Sequence, residues 1–250
     1  MSALQIVLLG LAGIAAGTIN SVVGSGTLVT FPVLLAFGYP PVTANVSNTI
    51  GLVPGSLAGA WGYRGRLAGQ RANVVRLGAA SVLGGVVGAV LLLSLPASTF
   101  DAIVPVFIAV ALVLTVFQTR LRARLQGCVR PSRRRGVVTA LAVFASGVYG
   151  GYFGAGQGIF LLGILGVALA QDLQSTNGLK NLLAGLVNGV AGVYFISTVH
   201  VEWAPSAVIA VTSMLGAHLG ARYGQRLKPS TLRSVIVVVG IIAIVNVVNG

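Results

Sequence analysis

Lys180 is the only basic residue in this sequence that lies within a long apolar stretch. Its nearest charged neighbour on one side is Asp172, and residues 181–201 after it carry no formal charge. Asn177 and Asn181 flank it, with Asn188 further on, and a second polar group, Asn45, Ser47, Asn48 and Thr49, lies far upstream with Asn20 ahead of it. Two glycine-broken segments precede these groups: Val23-Gly24-Ser25-Gly26-Thr27 and Phe153-Gly154-Ala155-Gly156-Gln157. Each reads as the tip of a helical hairpin. Free N–H groups at a half-helix N-terminus bind anions without any charged residue. Asn, Ser and Thr side chains add donors, and one ammonium adds a balancing charge. The candidate substrate-binding set is therefore Asn20, Gly24, Ser25, Gly26, Thr27, Asn45, Asn48, Gly154, Gly156, Gln157, Asn177, Lys180 and Asn181, and the ligand chemistry it suggests is a small oxyanion.

Other chemistries lack their residues. Gly24-Ser25-Gly26 has no preceding Gly-x of a hydrolase elbow, and Gly154-x-Gly156-x-Gly158 follows no βαβ pattern. One Cys, two His and three carboxylates are scattered along the chain, so no metal site and no cofactor is expected. The stretch Arg120, Arg122, Arg124, Arg130, Arg133, Arg134, Arg135 has no interleaved aromatic residue. It joins two apolar segments, as the positive-inside rule requires, and implies no nucleic acid partner. Cys128 lies within it, with no second cysteine for a disulfide.

The elements that hold these residues follow from charge. Only 8% of the 250 residues are charged, against about 25% in a soluble domain, while 56% are apolar and the mean hydropathy is +0.95. No charge occurs in residues 1–63, 77–100, 102–119, 136–171, 181–201, 203–221 or 234–250. A bilayer crossing needs roughly 20 apolar residues, and strict apolar/polar alternation is absent. The pattern predicts an all-α polytopic membrane protein and excludes a soluble enzyme and a membrane barrel. The start, Met1-Ser2-Ala3-Leu4-Gln5, lacks the basic region of a signal peptide, so the first apolar segment is expected to be retained.

The chain also repeats itself. Gly17-x6-Gly24-Ser25-Gly26 recurs as Gly147-x6-Gly154-Ala155-Gly156. After a two-residue slip Asn45 pairs with Asn177, Asn48 with Lys180, Ser56 with Asn188 and Tyr63 with Phe195. This divides the chain into a first repeat (1–120), an Arg-rich cytoplasmic linker (121–136) and a second repeat (137–250). Loop 64–76 carries four Arg and loop 96–101 only Asp101. In the second half the order reverses, with Glu202 in loop 199–204 and Arg222, Arg226, Lys228 and Arg233 in loop 222–233. Basic loops face the cytoplasm, so the repeats are expected to be inverted relative to each other. Each would contain a Gly-rich helical hairpin and three crossings: 42–63, 77–95 and 102–119, then 176–198, 203–221 and 234–250. As single helices, 4–37 and 137–170 would each run about 50 Å, too long for one crossing. Both are read as hairpins with tips near the bilayer midplane and both termini outside.

Residues Gly17-Thr-Ile-Asn20-Ser-Val-Val-Gly24-Ser25-Gly26-Thr-Leu-Val-Thr-Phe-Pro32, continuing through Gly38-Tyr-Pro-Pro-Val-Thr-Ala-Asn45-Val-Ser-Asn48-Thr49, resemble the first signature of the TauE/SafE sulfite-exporter family, also called 4-toluenesulfonate uptake permeases. Gly150-Gly-Tyr-Phe-Gly154-Ala-Gly156-Gln-Gly158, followed by Asn177-Gly-Leu-Lys180-Asn181, resembles the second, with Lys180 at its lysine position. The first tip departs from the unbroken glycine run common in relatives. The resemblance implies a multi-pass protein of the bacterial inner membrane that transports sulfite or organosulfonates. Its partners would be the lipid bilayer and a small anion; homo-oligomerisation stays open. Two alternatives also stay open. One is a channel or transporter for another small solute. The other is a rhomboid-like protease, because Ala217-His218-Leu219-Gly220 resembles that family's His motif, with Ser146 as nucleophile.

Overall fold

The computed structural model describes residues 1–125, 133–169 and 171–223, and every regular element in it is a helix. In chain order these are α1 (Ala3–Val22), α2 (Thr27–Ala36), α3 (Pro41–Gly62), α4 (Arg64–Leu67), α5 (Arg71–Ser94), α6 (Ala97–Leu125), α7 (Arg133–Tyr152), α8 (Gln157–Ala168), α9 (Leu173–Thr198) and α10 (Trp203–Tyr223). Five of them, α1, α5, α9, α10 and the Ala97–Phe117 part of α6, are long and apolar enough to cross a bilayer. Helix α3 has 22 residues, enough for about 33 Å, but Asn45, Ser47, Asn48 and Thr49 lower its hydropathy. Helix reaches into both ends of the expected linker, since α6 continues to Leu125 and α7 begins at Arg133. Cys128, the charges Arg226, Lys228 and Arg233, and the expected crossing 234–250 lie outside the described residues.

Both broken segments end their first helix in the same way. At the end of α1, the N–H groups of Val23 and Gly24 both donate to Ile19 O, at 2.7 and 3.1 Å. At the end of α7, those of Phe153 and Gly154 both donate to Tyr149 O, at 2.9 and 3.0 Å. A four-residue tip follows, and then a short helix: α2 has 10 residues and α8 has 12. The hairpin arms are therefore unequal, because α1 has 20 residues, about 30 Å, and α2 only about 15 Å. Helix α2 is cut short where Gly38 turns left-handed ahead of Pro40 and Pro41. Helix α9 starts at Leu173, where Asp172 caps it by accepting from Gln174 N (2.9 Å) and Ser175 N (3.1 Å). Hydrogen bonding from the Ser175 side chain, the largest influence, holds the Asp172 carboxyl below the usual carboxylate range.

Glycine seams join the long helices. Helix α1 packs along α10, and α7 packs along α5; α3 then lies against α10 and α9, and α9 also against α5. A Cβ on Gly17 would strike Ser213 O, and one on Gly216 would strike Ile14 O. In the other seam, a Cβ on Gly147 would lie 2.8 Å from Ser81 O, and one on Gly84 would strike Phe144 O. These glycines correspond at the offsets of the sequence repeat, and they let backbones touch as small residues do in membrane helix pairs. The outer faces, with Leu4, Leu11, Leu83, Val137, Leu141, Val211 and Leu215 exposed, suit contact with lipid.

Candidate functional site where the helix breaks meet

The two glycine tips come together in the interior. Gly24 has φ 91°, a conformation that only glycine adopts freely, and its carbonyl accepts the Gly158 N–H at 3.0 Å. A Cβ on Gly24 would collide with Gly158 Cα, so the chains touch backbone to backbone. Gly26 precedes α2 and Gly156 precedes α8; neither helix start is capped by a side chain. Ser25 is 1% exposed, and its Oγ has no partner among the described residues. Gly154 O accepts from Gln157 N at 3.1 Å, and the buried Gln157 amide donates to Ser146 O at 3.2 Å.

The polar residues that follow each hairpin reach across to the opposite broken helix. Lys180 on α9 is 1% exposed, and its Nζ donates to Asn20 O (2.7 Å) and Ser21 O (3.1 Å), carbonyls of the last turn of α1. Asn181 Nδ2 donates to Ser21 O at 3.1 Å. Reciprocally, Asn45 on α3 donates Nδ2 to Tyr152 O, at the end of α7, at 2.9 Å. Helix C-termini carry unsatisfied carbonyls and about half a negative charge, so donors there satisfy groups that water cannot reach. Lys180 thus sits on carbonyl oxygens, with one of its three N–H donors left over.

The remaining candidates divide. Asn48 Nδ2 donates to Thr27 Oγ1 at 3.2 Å and its Oδ1 accepts from Thr30 Oγ1, which binds α3 to α2. Asn20 Nδ2 donates to Ser56 Oγ at 3.2 Å. Asn177 is buried, and its Oδ1 has no partner among the described residues. Thr30 and Ser56 belong to this network although sequence reasoning did not place them in the site; the three-residue spacing of Thr27 and Thr30 on α2 was the available signal. Tyr149, Tyr152, Phe153 and Phe107 form an aromatic wall beside the second tip, with Tyr149 and Phe107 centroids 5.3 Å apart. A groove of about 480 Å³ between α5 and α7, lined by Arg76, Leu83, Val137 and Phe144 among others, contains none of the candidate residues. Ser146 is buried on α7, whereas His218 is exposed on α10, and no hydrogen bond joins them among the described residues.

The sulfite exporter TauE/SafE family model matches residues 9–247. The chain belongs to the TauE/SafE family. Its relatives include the probable membrane transporter protein ORF9 of a Sinorhizobium species, 29% identical over 92% of this chain and 87% of the relative. Another is the probable membrane transporter protein YfcA of Escherichia coli K12, 28% identical over 90% of this chain and 82% of the relative. A probable membrane transporter protein of Haemophilus influenzae is 24% identical over 90% and 88%. No solved structure matches significantly. This member of the TauE/SafE family is therefore a multi-pass membrane transporter embedded in the lipid bilayer.

Proposed function

We propose that this transporter moves small sulfur-containing oxyanions, such as sulfite or organosulfonates, across the bacterial inner membrane. The observation that carries this reading is the pairing of two helix starts without side-chain caps, at Gly26 and at Gly156 (the second with its Gly158 N–H given to Gly24 O), beside the unpartnered Ser25 hydroxyl and the buried Lys180 ammonium. Sulfonate oxygens would accept from backbone N–H groups and from Ser25, Thr27 and Asn177, as anions do at helix N-termini. Lys180 keeps one donor for the anion while it holds α1, so its charge serves both roles. The three carboxylates of the chain are Asp101 and Asp172, near helix starts, and Glu202, just before α10; none stands within the network of tips and Asn residues. Export of a monoanion from a cell that is negative inside is favoured by about 2.3 kcal/mol per 100 mV.

The site lies between two inverted repeats in this reading. Support comes from the mirrored loop charges and from the reciprocal packing, α1 on α10 and α7 on α5, with α3 and α9 each binding the other half's broken helix. The test is direct binding to the purified protein in detergent. Sulfite, sulfoacetate and a further sulfonate should each raise Tm saturably, whereas acetate and neutral solutes should not. Equal responses to acetate, or none to any sulfur anion, would overturn the substrate class and return the site to another small solute.

A further inference from the structure

The two broken helices end alike but are not treated alike. In α1 the shared turn onto Ile19 O leaves the carbonyls of Asn20 and Ser21 without backbone donors, and Lys180 and Asn181 fill both. In α7 the equivalent turn onto Tyr149 O leaves the carbonyls of Gly150 and Gly151, and among the described residues no N–H or hydroxyl is donated to either. Both glycines are buried. The position equivalent to Lys180 is Asn48, whose shorter side chain is spent on Thr27 and Thr30 of α2. The residue beside the α7 end is Asn45, which is 0% exposed; its Nδ2 holds Tyr152 O while its Oδ1 has no partner. The Gln157 amide packs on the same glycine: a Cβ on Gly150 would meet its Cδ and Nε2 first and its Oε1 at 2.5 Å.

We infer that a monovalent metal cation, Na⁺ in the first instance, binds at the C-terminal end of α7 among Gly150 O, Gly151 O and Asn45 Oδ1, in the role the Lys180 ammonium fills at the end of α1. Hard oxygen donors and a helix C-terminus favour a small cation. The donors are all neutral, and with no carboxylate among them they suit one charge better than two. Buried carbonyls and an amide oxygen are costly when unpaired, and a cation satisfies several at once. Binding needs nothing from the anion reading; only the cation's use as coupling ion rests on it, and that use would supply the driving force that anion uptake requires.

The experiment is a melting titration of the full chain in detergent without substrate, in NaCl, KCl and choline chloride at constant ionic strength. Na⁺ at tenfold excess over its Kd should raise Tm by about 3 °C relative to choline. The rise should be reduced or lost in Asn45→Ala. Asn48→Lys, which offers α7 an ammonium at the position matching Lys180, should likewise lose the Na⁺ response. Identical melting of the wild type in all three salts would overturn the site. A full Na⁺ response in folded Asn45→Ala would also overturn it, and should Asn48→Lys not fold, the wild-type and Asn45→Ala titrations still decide. A K⁺ response equal to that of Na⁺, still sensitive to Asn45→Ala, upholds a monovalent site. Because chloride is common to all three salts and no sulfur anion is added, a failure of sulfite binding leaves this result untouched.

Discussion

Lys180 carries a structural obligation and, in the proposed site, a second one to the anion, and its substitutions separate the two. Its ammonium satisfies Asn20 O and Ser21 O inside the protein. Lys180→Met would leave Asn20 O without its donor, at about 1–3 kcal/mol, and Ser21 O with Asn181 alone, partly offset because no charge is then buried. The expected outcome is a net loss of about 2 kcal/mol, read as a lower midpoint in chemical denaturation. Lys180→Gln restores one donor but no charge, so stability should recover in part while sulfonate affinity stays low. Lys180→Arg should keep part of the affinity, since charge survives and geometry changes. Wild-type sulfonate affinity in a folded Lys180→Gln would remove the lysine from the ligands and leave the helix starts alone. The equivalence of Lys180 with Asn48 was visible in the sequence as an offset. The carbonyls that Lys180 binds were not, because Asn20 and Ser21 lie about 160 positions away and meet it only after α9 packs beside α1.

At the scale of elements, the glycine breaks after α1 and α7 were legible because Gly-x-Gly interrupts segments too long for one crossing. The unequal arms were not, since the stop of α2 depends on the left-handed turn at Gly38. Nor was α4, a four-residue turn within the basic loop. The tips themselves yield a ranked prediction. At Gly24 an alanine meets both an unfavourable φ and Gly158 Cα. At Gly156, with φ 75°, the nearest neighbour is Ala111 Cβ at 3.1 Å, so strain of about 1–2 kcal/mol dominates. Gly24→Ala should therefore lower Tm more than Gly156→Ala, and both should impair transport in proteoliposomes. Gly26 differs again: its φ of −59° is ordinary, but a side chain would press on Ala16 O at 2.6 Å. Gly26→Val should fail through crowding against α1. Equal melting of the Gly24 and Gly156 variants would show that the contact between the tips contributes nothing.

At the scale of the whole molecule, orientation is the property that loop charge predicts and packing does not decide. In a Cys128→Ser background, cysteines at Gly65 and Gln225 should be protected from an impermeant thiol reagent in intact cells, and one at Ser98 should be labelled. Labelling at 225 from outside would restore parallel repeats. The glycine seams carry a different consequence. Where backbone rests on backbone, no side chain can change rotamer to let one helix slide, so α1, α10 and α3 should travel as one rigid body and α7, α5 and α9 as another. Each body mixes the two halves of the chain, and they meet along α3 and α9, where side chains such as Ser56 face Gly185. Rocking of one body on the other would open the tips to each side in turn. It would strain the cross-links that span the pivot, among them Asn45 to Tyr152, Lys180 to Asn20, Asn181 to Ser21 and the backbone bond from Gly158 to Gly24. A disulfide inside one body, between cysteines at Gly59 and Ser21 (Cβ separation 3.5 Å), should then leave transport intact. One across the pivot, at Gly185 and Ser56 (3.3 Å), should arrest it until reduced. Unimpaired flux with the second bridge closed would mean that the molecule opens without pivoting on α3 and α9.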